Sequence, residues 1–307
     1  MKKIGWLGSA DGWYFRDMQR AIALPHWPEQ ISISPLSFSD LHVAYLGGPT
    51  SAVGYGNLTE ESFDALLVRT MPLGSLEQTI FRMNALHVAQ QTGTRVINPP
   101  RSLEIAIDKW LTLEKVRAAG LPIPRTLCSQ TRDQAMEAWE LLGRDAVVKP
   151  VFGGEGRGIM RVTDPDLAWR VFSTLEQLRS VIYCQEYIEG PGYDLRLLVI
   201  DDAVFCVKRQ SMGDWRTNVS RGAQAIEHEP TFEQVSMAFQ ACRAIGVWMA
   251  GVDLITDAHG NDLVLEVNAV PGWKGTAAGL QIDIARVVIE KLLFPQTQNT
   301  RSAPSPT

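Results

Sequence analysis

Residues 251–256 (GVDLIT) and 263–268 (LVLEVN) are two short apolar runs joined by Asp257-Ala258-His259-Gly260-Asn261-Asp262. The linker consists of turn formers, so the pair reads as an antiparallel hairpin. A midpoint between His259 and Gly260 sets Asp253 opposite Glu266. Glu266 and Asn268 are two apart and share a strand face, so three oxygen-bearing side chains converge. Leu263, Leu265 and Val267 fall on the other face, which predicts that this face is buried. Two carboxylates so close repel unless a cation or proton lies between them. An all-oxygen set with one carboxamide suits Mg²⁺ or Mn²⁺ and not zinc. The competing reading is a solvated polar face.

Such a hairpin needs a large core beneath it. The chain has 307 residues, enough for about two domains of ordinary size. Its apolar fraction of 45%, charged fraction of 21% and net charge of −5 are those of a soluble globular protein. The acidic balance argues against nucleic acid as a partner. No apolar run approaches the ~20 residues of a membrane helix, and the apolar stretch after Met1-Lys2-Lys3 is too short for a signal peptide. The expectation is a cytoplasmic protein without a membrane partner. Cys128, Cys184, Cys206 and Cys242 lack CxxC spacing and read as free thiols.

Residues 1–98 alternate short strands (3–7, 65–69, 96–97) with helical stretches, which predicts a parallel α/β sheet. Ser75-Leu76-Glu77-Gln78 is a capping box opening a helix that reaches Thr92. The glycine-rich stretch 47–57 lacks a phosphate-loop ending and reads as a surface loop. Pro99-Pro100 marks a domain boundary. Helices are predicted over 102–119 and 132–142. A strand follows at 146–150, then a glycine-rich loop, then a strand at 159–162. The chain is strand-rich from Val181, with strands at 181–187, 194–200 and 203–210. Helices follow at 231–245 and 282–293, on either side of the hairpin.

Lys149 ends a strand, where a lysine reaches phosphate as a point charge. Gly153, Gly154 and Gly156 in the next loop offer backbone N–H groups to phosphate oxygens. The alternative is a flexible turn. Gln185-Glu186-Tyr187-Ile188 reads as an edge strand whose backbone can recognise adenine. Asp194 and Arg196 share one strand face. With Lys208, Arg209, Arg216 and Arg221, Arg196 supplies cations for a transferring phosphoryl group or a substrate carboxylate.

Taken in order, Asp108-Lys109, Val148-Lys149-Pro150, GGEGRGI, QEYIEG, Asp194-x-Arg196, Lys208-Arg209, RTNVSRG, GVDL and EVNAVPG resemble an ATP-grasp ligase of the RimK type. The stretch LVRTMPLGSLEQTIFRMNALH adds similarity to bacterial tetrahydromethanopterin α-L-glutamate ligase-like proteins. The resemblance covers residues 65–293. It implies an α/β (α+β ATP-grasp) architecture: a pre-ATP-grasp domain (1–98), a small ATP-binding subdomain (99–188), a larger ATP-grasp subdomain with the metal site (189–294) and a disordered tail (295–307). ATP would lie between the two subdomains.

By motif, Lys109 and Lys149 would contact the nucleotide, Glu186 and Ile188 adenine, and Asp194 ribose. Asp253, Glu266 and Asn268 would hold two Mg²⁺ or Mn²⁺ ions. Arg209, Arg216, Asn218 and Arg221 would lie near the γ-phosphate and substrate carboxylates, and N-terminal residues such as Arg69 would choose the acceptor. The implied reaction activates a carboxylate as an acylphosphate, which an amine attacks to give an amide, ADP and phosphate. The expected amine is L-glutamate. The acceptor is a small-molecule carboxylate (a pterin- or folate-like cofactor) or a peptide, and homo-oligomerisation is open. Alternatives are a D-alanine- or glutathione-type ligase, a protein-modifying glutamate ligase, a kinase, and an ATP-binding regulatory module.

Overall fold

The computed structural model describes residues 1–45, 52–55, 62–153, 156–211, 213, 215–217 and 223–294. Gly154, Asn218, Arg221, most of the 47–57 stretch and the tail from 295 lie outside these residues. Among the described residues the first unit runs β1 (Lys2–Leu7), α1 (Trp13–Ile22), β2 (Ile31–Leu36), β3 (Leu41–Ala44), β4 (Ala52–Tyr55), β5 (Ala65–Val68), α2 (Leu76–Gln91) and β6 (Arg95–Ile97). β1, β2, β5 and β6 form a parallel sheet in the order β2-β1-β5-β6. β5 is buried along its whole length, as expected of a strand covered on both faces. Ser75 and Gln78 cap α2 reciprocally, so the predicted capping box is present.

The single helix expected over 102–119 is two, α3 (Pro100–Ile107) and α4 (Lys109–Ala118). Asp108 between them is extended (φ −95°, ψ 104°), and its carboxylate accepts from the Leu111 N–H at 3.0 Å. An aspartate that caps better than it propagates a helix explains the break.

A second sheet follows from β7 (Thr126–Ser129), α5 (Arg132–Leu141), β8 (Ala146–Lys149), β9 (Met160–Val162), α6 (Pro165–Gln177) and β10 (Ile182–Glu186). It is antiparallel, in the order β7-β10-β8-β9. Trp139 of α5 and Phe172 of α6 pack on it, beside Ile182 and Cys184. β10 lies between β7 and β8, so the expected edge strand is internal. The chain leaves the sheet only after Glu186.

The third sheet comprises β11 (Tyr193–Ile200), β12 (Ala203–Gln210), β13 (Gln224–Glu227), β14 (Met249–Thr256) and β15 (Asp262–Asn268), with α7 (Phe232–Ile245) between β13 and β14. Its antiparallel order is β13-β12-β11-β14-β15. Strand alternation decides what each face does. Leu195, Leu197 and Val199 of β11 join one core with α7, and Ile105 and Val116 of α3 and α4 pack there too. Leu198 and Ile200 face the other way, where α8 (Lys274–Leu280) and α9 (Ile284–Leu293) follow β15. α9 packs beside α1, so Ile284 and Val288 share a core with Ile4 and Trp6.

Asn98 ties the first sheet to the third. Its Nδ2 donates to the carbonyls of Met249 (2.7 Å) and Ala269 (2.6 Å), and its Oδ1 accepts from the N–H groups of Trp248 and Met249. No helix among the described residues is long and apolar enough to cross a membrane.

Candidate active site

β14 and β15 pair as the hairpin reading requires, with Asp253 opposite Glu266 and Gly251 opposite Asn268. Beyond Asp253 the register shifts, so Leu254 meets Val264. The shift corrects the expected buried face: Val264 and Val267 are in the core, whereas Leu263 and Leu265 are half-buried and Leu265 lines the site. A bulge adds one residue and reverses the alternation on one side of it.

A cleft open to solvent at its mouth lies between the second and third sheets. Lys149, Gln185 and Glu186 line it from one side, and Asp194, Arg209, Asp253 and Glu266 from the other. On the third sheet the register places Arg209 beside Asp194, Arg196 beside Asp253, and Asp253 beside Glu266. The charged groups thus cross neighbouring strands on one face. Lys208 occupies the other face, opposite Leu195, with its ammonium 5.1 Å from the Tyr193 ring centroid. The structure does not bring Lys208 to the cleft.

The third-sheet charges pair internally. Arg209 donates from Nε and Nη2 to the two Asp194 oxygens, both at 2.6 Å, and its Nη2 lies 2.9 Å from Asp253 Oδ2. Arg196 donates from Nη2 to the same Asp253 oxygen at 2.8 Å. Thr217 Oγ1 also donates to Asp194. Burial opposes the Arg209 charge, but Asp253 and Asp194 outweigh it and hold the guanidinium above its ordinary pKa. Asp194, expected at ribose, therefore commits both oxygens to Arg209 and Thr217. Gly251 is part of this packing: a Cβ there would lie 2.3 Å from Arg196 Nη1.

On the second sheet Lys149 is buried at 9% exposure and donates to Gln185 Oε1 at 2.8 Å. Gln185 in turn donates from Nε2 to Thr126 Oγ1 and Tyr183 Oη. Burial pushes Lys149 down to about 8; Glu266 and Asp253 oppose that fall, and the charge of Lys109 adds to it. Lys109, at the start of α4, reaches the carbonyls of Val151 and Gly153, and burial lowers its pKa too. Gly153 and Gly156 line the cleft with φ of 117° and 72°, values that favour glycine.

Both Glu186 oxygens are taken by Arg125, through its backbone N–H at 2.7 Å and its Nε at 2.5 Å. The Glu186 side chain is thus occupied, which leaves the backbone beyond β10 as the hydrogen-bonding surface there. Among the described residues the Ile188 N–H has no partner. Tyr187 lines the cleft between the Arg161 guanidinium, 3.4 Å from its ring centroid, and the Trp215 ring. Arg216 also lines the cleft, its Nη1 3.5 Å from the Ile159 carbonyl. Arg125, Arg161 and Trp215 were not singled out in the sequence. Their partners are remote in sequence, and only Trp215, beside Arg216, carried any local signal.

Asp253, Glu266 and Asn268 supply only oxygen donors. Glu266 has no hydrogen-bond or ion-pair partner among the described residues, so its carboxylate is available to a cation. Asn268 Oδ1 accepts from the Val270 N–H at 2.8 Å, and a carbonyl oxygen can accept that bond and still offer a second lone pair. Among the described residues no three His, Cys, Asp or Glu side chains form a metal cluster. A set of two carboxylates and one carboxamide fits Mg²⁺ held jointly by protein and substrate phosphates.

The RimK-like ATP-grasp domain family matches residues 106–292. A tetrahydromethanopterin:alpha-L-glutamate ligase of Methanosarcina acetivorans is 33% identical over 80% of this chain and 84% of its own length. A probable alpha-L-glutamate ligase of Haemophilus influenzae is 31% identical over 78% of each chain. Among solved structures, the ATP-grasp ligase PsnB with a minimal precursor, Mg and ADP superposes with a TM-score of 0.74 at 21% identity, over 94% of this chain and 96% of that one. A RimK domain protein from Sphaerobacter thermophilus gives 0.71 at 17%, over 94% and 98%. These two show the shared ATP-grasp fold. The family match and the curated relatives, set beside the charged cleft, establish that this chain belongs to the RimK-like ATP-grasp ligases.

Proposed function

We propose that the protein joins L-glutamate to a carboxylate acceptor through an acylphosphate, releasing ADP and phosphate. The observation that carries this reading is the opposed charge of the cleft: Lys109 and Lys149 enter from one side, Asp253 and Glu266 from the other, with Arg209 paired to Asp253 on that same side. A carboxylate is a poor acyl donor because its leaving group would be oxide, and transfer of the γ-phosphoryl group to it creates a good leaving group. The glutamate amine, once deprotonated, attacks the acyl carbon and phosphate departs. Glutamate as the amine is supported by the relatives named alpha-L-glutamate ligase.

In this reading ATP lies between the second and third sheets. Lys149 and Lys109 neutralise its phosphates, and Gly153, Gly154 and Gly156 lie over them. Tyr187 and the Ile188 backbone meet the base, with Glu186 and Gln185 supporting that wall. Arg209, Arg216, Asn218 and Arg221 balance charge as the phosphoryl group moves. Asp194, Arg196 and Asp253 hold Arg209 and one another in place. Asp253, Glu266 and Asn268 would hold two Mg²⁺ ions, which when bound neutralise phosphate oxygens. The small subdomain is centred on the second sheet and the large one on the third.

The test is isotopically labelled L-glutamate added with ATP, Mg²⁺ and the purified protein to a lysate of the source cells, with Lys149→Ala as control. ATP-dependent label in a small molecule supports the reading and identifies the acceptor by mass. Label in protein moves the acceptor to a polypeptide, as expected of a protein-modifying ligase. Absence of label from both fractions would remove glutamate from the proposal.

A further inference from the structure

We propose that Arg69 binds a substrate carboxylate, at the junction of the first sheet and the loop that follows Asn268. The inference rests on the ligase reading and concerns its co-substrates, not the nucleotide.

The strand order β2-β1-β5-β6 reverses direction between β1 and β5. In open parallel sheets, ligand crevices form outside the carboxyl ends of the strands at such a reversal. Arg69 stands at this point: it follows β5, and its N–H donates to the carbonyl of Leu7, the last residue of β1, at 2.8 Å.

The side chain crosses to the loop after β15, where Nη2 donates to the Pro271 carbonyl at 2.6 Å. Its guanidinium carbon lies 4.6 Å from the Trp273 ring centroid, 5.5 Å from Tyr14 and 5.9 Å from Trp6. The packing is close. A Cβ on Gly272 would lie 2.4 Å from Tyr14 Oη, and one on Gly8 would lie 2.9 Å from Trp6 Nε1.

Among the described residues no carboxylate pairs with this guanidinium, and its Nε is sealed from solvent without an acceptor. Burial lowers the pKa of Arg69 to about 10, with Tyr14 opposing. Arg69 as a whole is half-buried, but a donor sealed from water, as its Nε–H is, normally has an acceptor beside it. Here aromatic rings crowd the guanidinium while its Nε–H stays unused beside the engaged Nη2, an edge that suits the fork of a carboxylate. The loop holding Pro271 continues from Asn268, so an anion on Arg69 lies one short loop from the candidate metal residues.

The competing reading is an arginine that only braces the two layers. Binding measurements separate the two, with full-length protein, Mg²⁺ and ADP present. The probes are L-glutamate, and N-acetyl-L-glutamate, whose blocked amine leaves it only the acceptor's role. The expectation is that Arg69→Met weakens one probe by about tenfold or more and leaves ADP affinity unchanged. Loss of N-acetyl-L-glutamate assigns Arg69 to the acceptor, and loss of L-glutamate assigns it to the amine substrate.

Wild-type affinity of the variant for both probes would overturn the proposal, as would a wild-type protein that binds ADP but neither probe. Should Arg69→Met lose ADP binding, Arg69→Lys decides, because it keeps the charge without the fork. Weakening of a probe by about threefold or more supports the proposal, and wild-type binding overturns it. Absence of amine-dependent ADP release would undo the ligase reading alone and leave these affinities interpretable.

Discussion

Lys149 gives the site a pH dependence whose two consequences have opposite signs. Its ammonium is buried between the sheets, and burial brings its pKa from an ordinary value near 10.5 to about 8. If nucleotide phosphate binds only the charged form, that form is nearly fully populated at pH 7 and about a tenth populated at pH 9. The apparent Kd for ADP should therefore rise about tenfold between pH 7 and pH 9.

The free protein behaves the other way. The folded state holds Lys149 less protonated than the unfolded chain does, so below pH 8 the buried charge costs stability. The difference between about 10.5 and about 8 amounts to about 3 kcal/mol, recovered as pH rises through that window. Isothermal titration of ADP in Mg²⁺ buffers from pH 6.5 to 9.5, with wild type and Lys149→Met, measures the first effect. Lys149→Met should bind weakly at every pH and show a flat profile. A flat wild-type profile, or an unaltered slope in Lys149→Met, would refute the assignment of Lys149 to the phosphates.

Other consequences are separable. Arg209→Met leaves the buried Asp194 and Asp253 without their shared cation, so chemical denaturation should show a loss of about 3–5 kcal/mol at pH 7, with partial recovery in the Asp194→Asn double variant. Gly251→Ala places a Cβ 2.3 Å from Arg196 Nη1, and the same measurement should show about 1–3 kcal/mol of destabilisation. Val264→Ala should cost about 1–3 kcal/mol, whereas Leu265→Ala should cost less and weaken ADP binding in the cleft. Glu266→Gln should keep the thermal transition and lose the gain in ADP affinity that Mg²⁺ gives the wild type, read by titration with and without EDTA.

Much of this site was legible in the sequence because its residues sit on paired strands. A turn-rich linker between two apolar runs was enough to place Asp253 opposite Glu266, and Lys149 fell at a strand end before a glycine loop. Alternation also placed Asp194 and Arg196 on one face. What the sequence did not show depends on contacts between distant segments. The shift beyond Asp253 exchanged the roles of Val264 and Leu265, and nothing local to the hairpin announces a bulge. Lys208 was grouped with Arg209 because they are adjacent, although adjacency in a strand means opposite faces. Asp108 was read inside a helix when its carboxylate starts a second one. Glu186 and Asp194 looked free for ligand, but Arg125 and Arg209 occupy them from elsewhere in the chain.

In the proposed reaction a substrate carboxylate, and not water, receives the phosphoryl group. The direct measurement uses the acceptor recovered from the labelled-glutamate assay, enriched with ¹⁸O in its carboxylate, in a reaction with ATP, Mg²⁺ and L-glutamate. Mass analysis of the released inorganic phosphate reads the result. An acylphosphate path carries one ¹⁸O from each acceptor carboxylate into phosphate as the amide forms. Phosphate free of ¹⁸O while ADP accumulates would contradict the account.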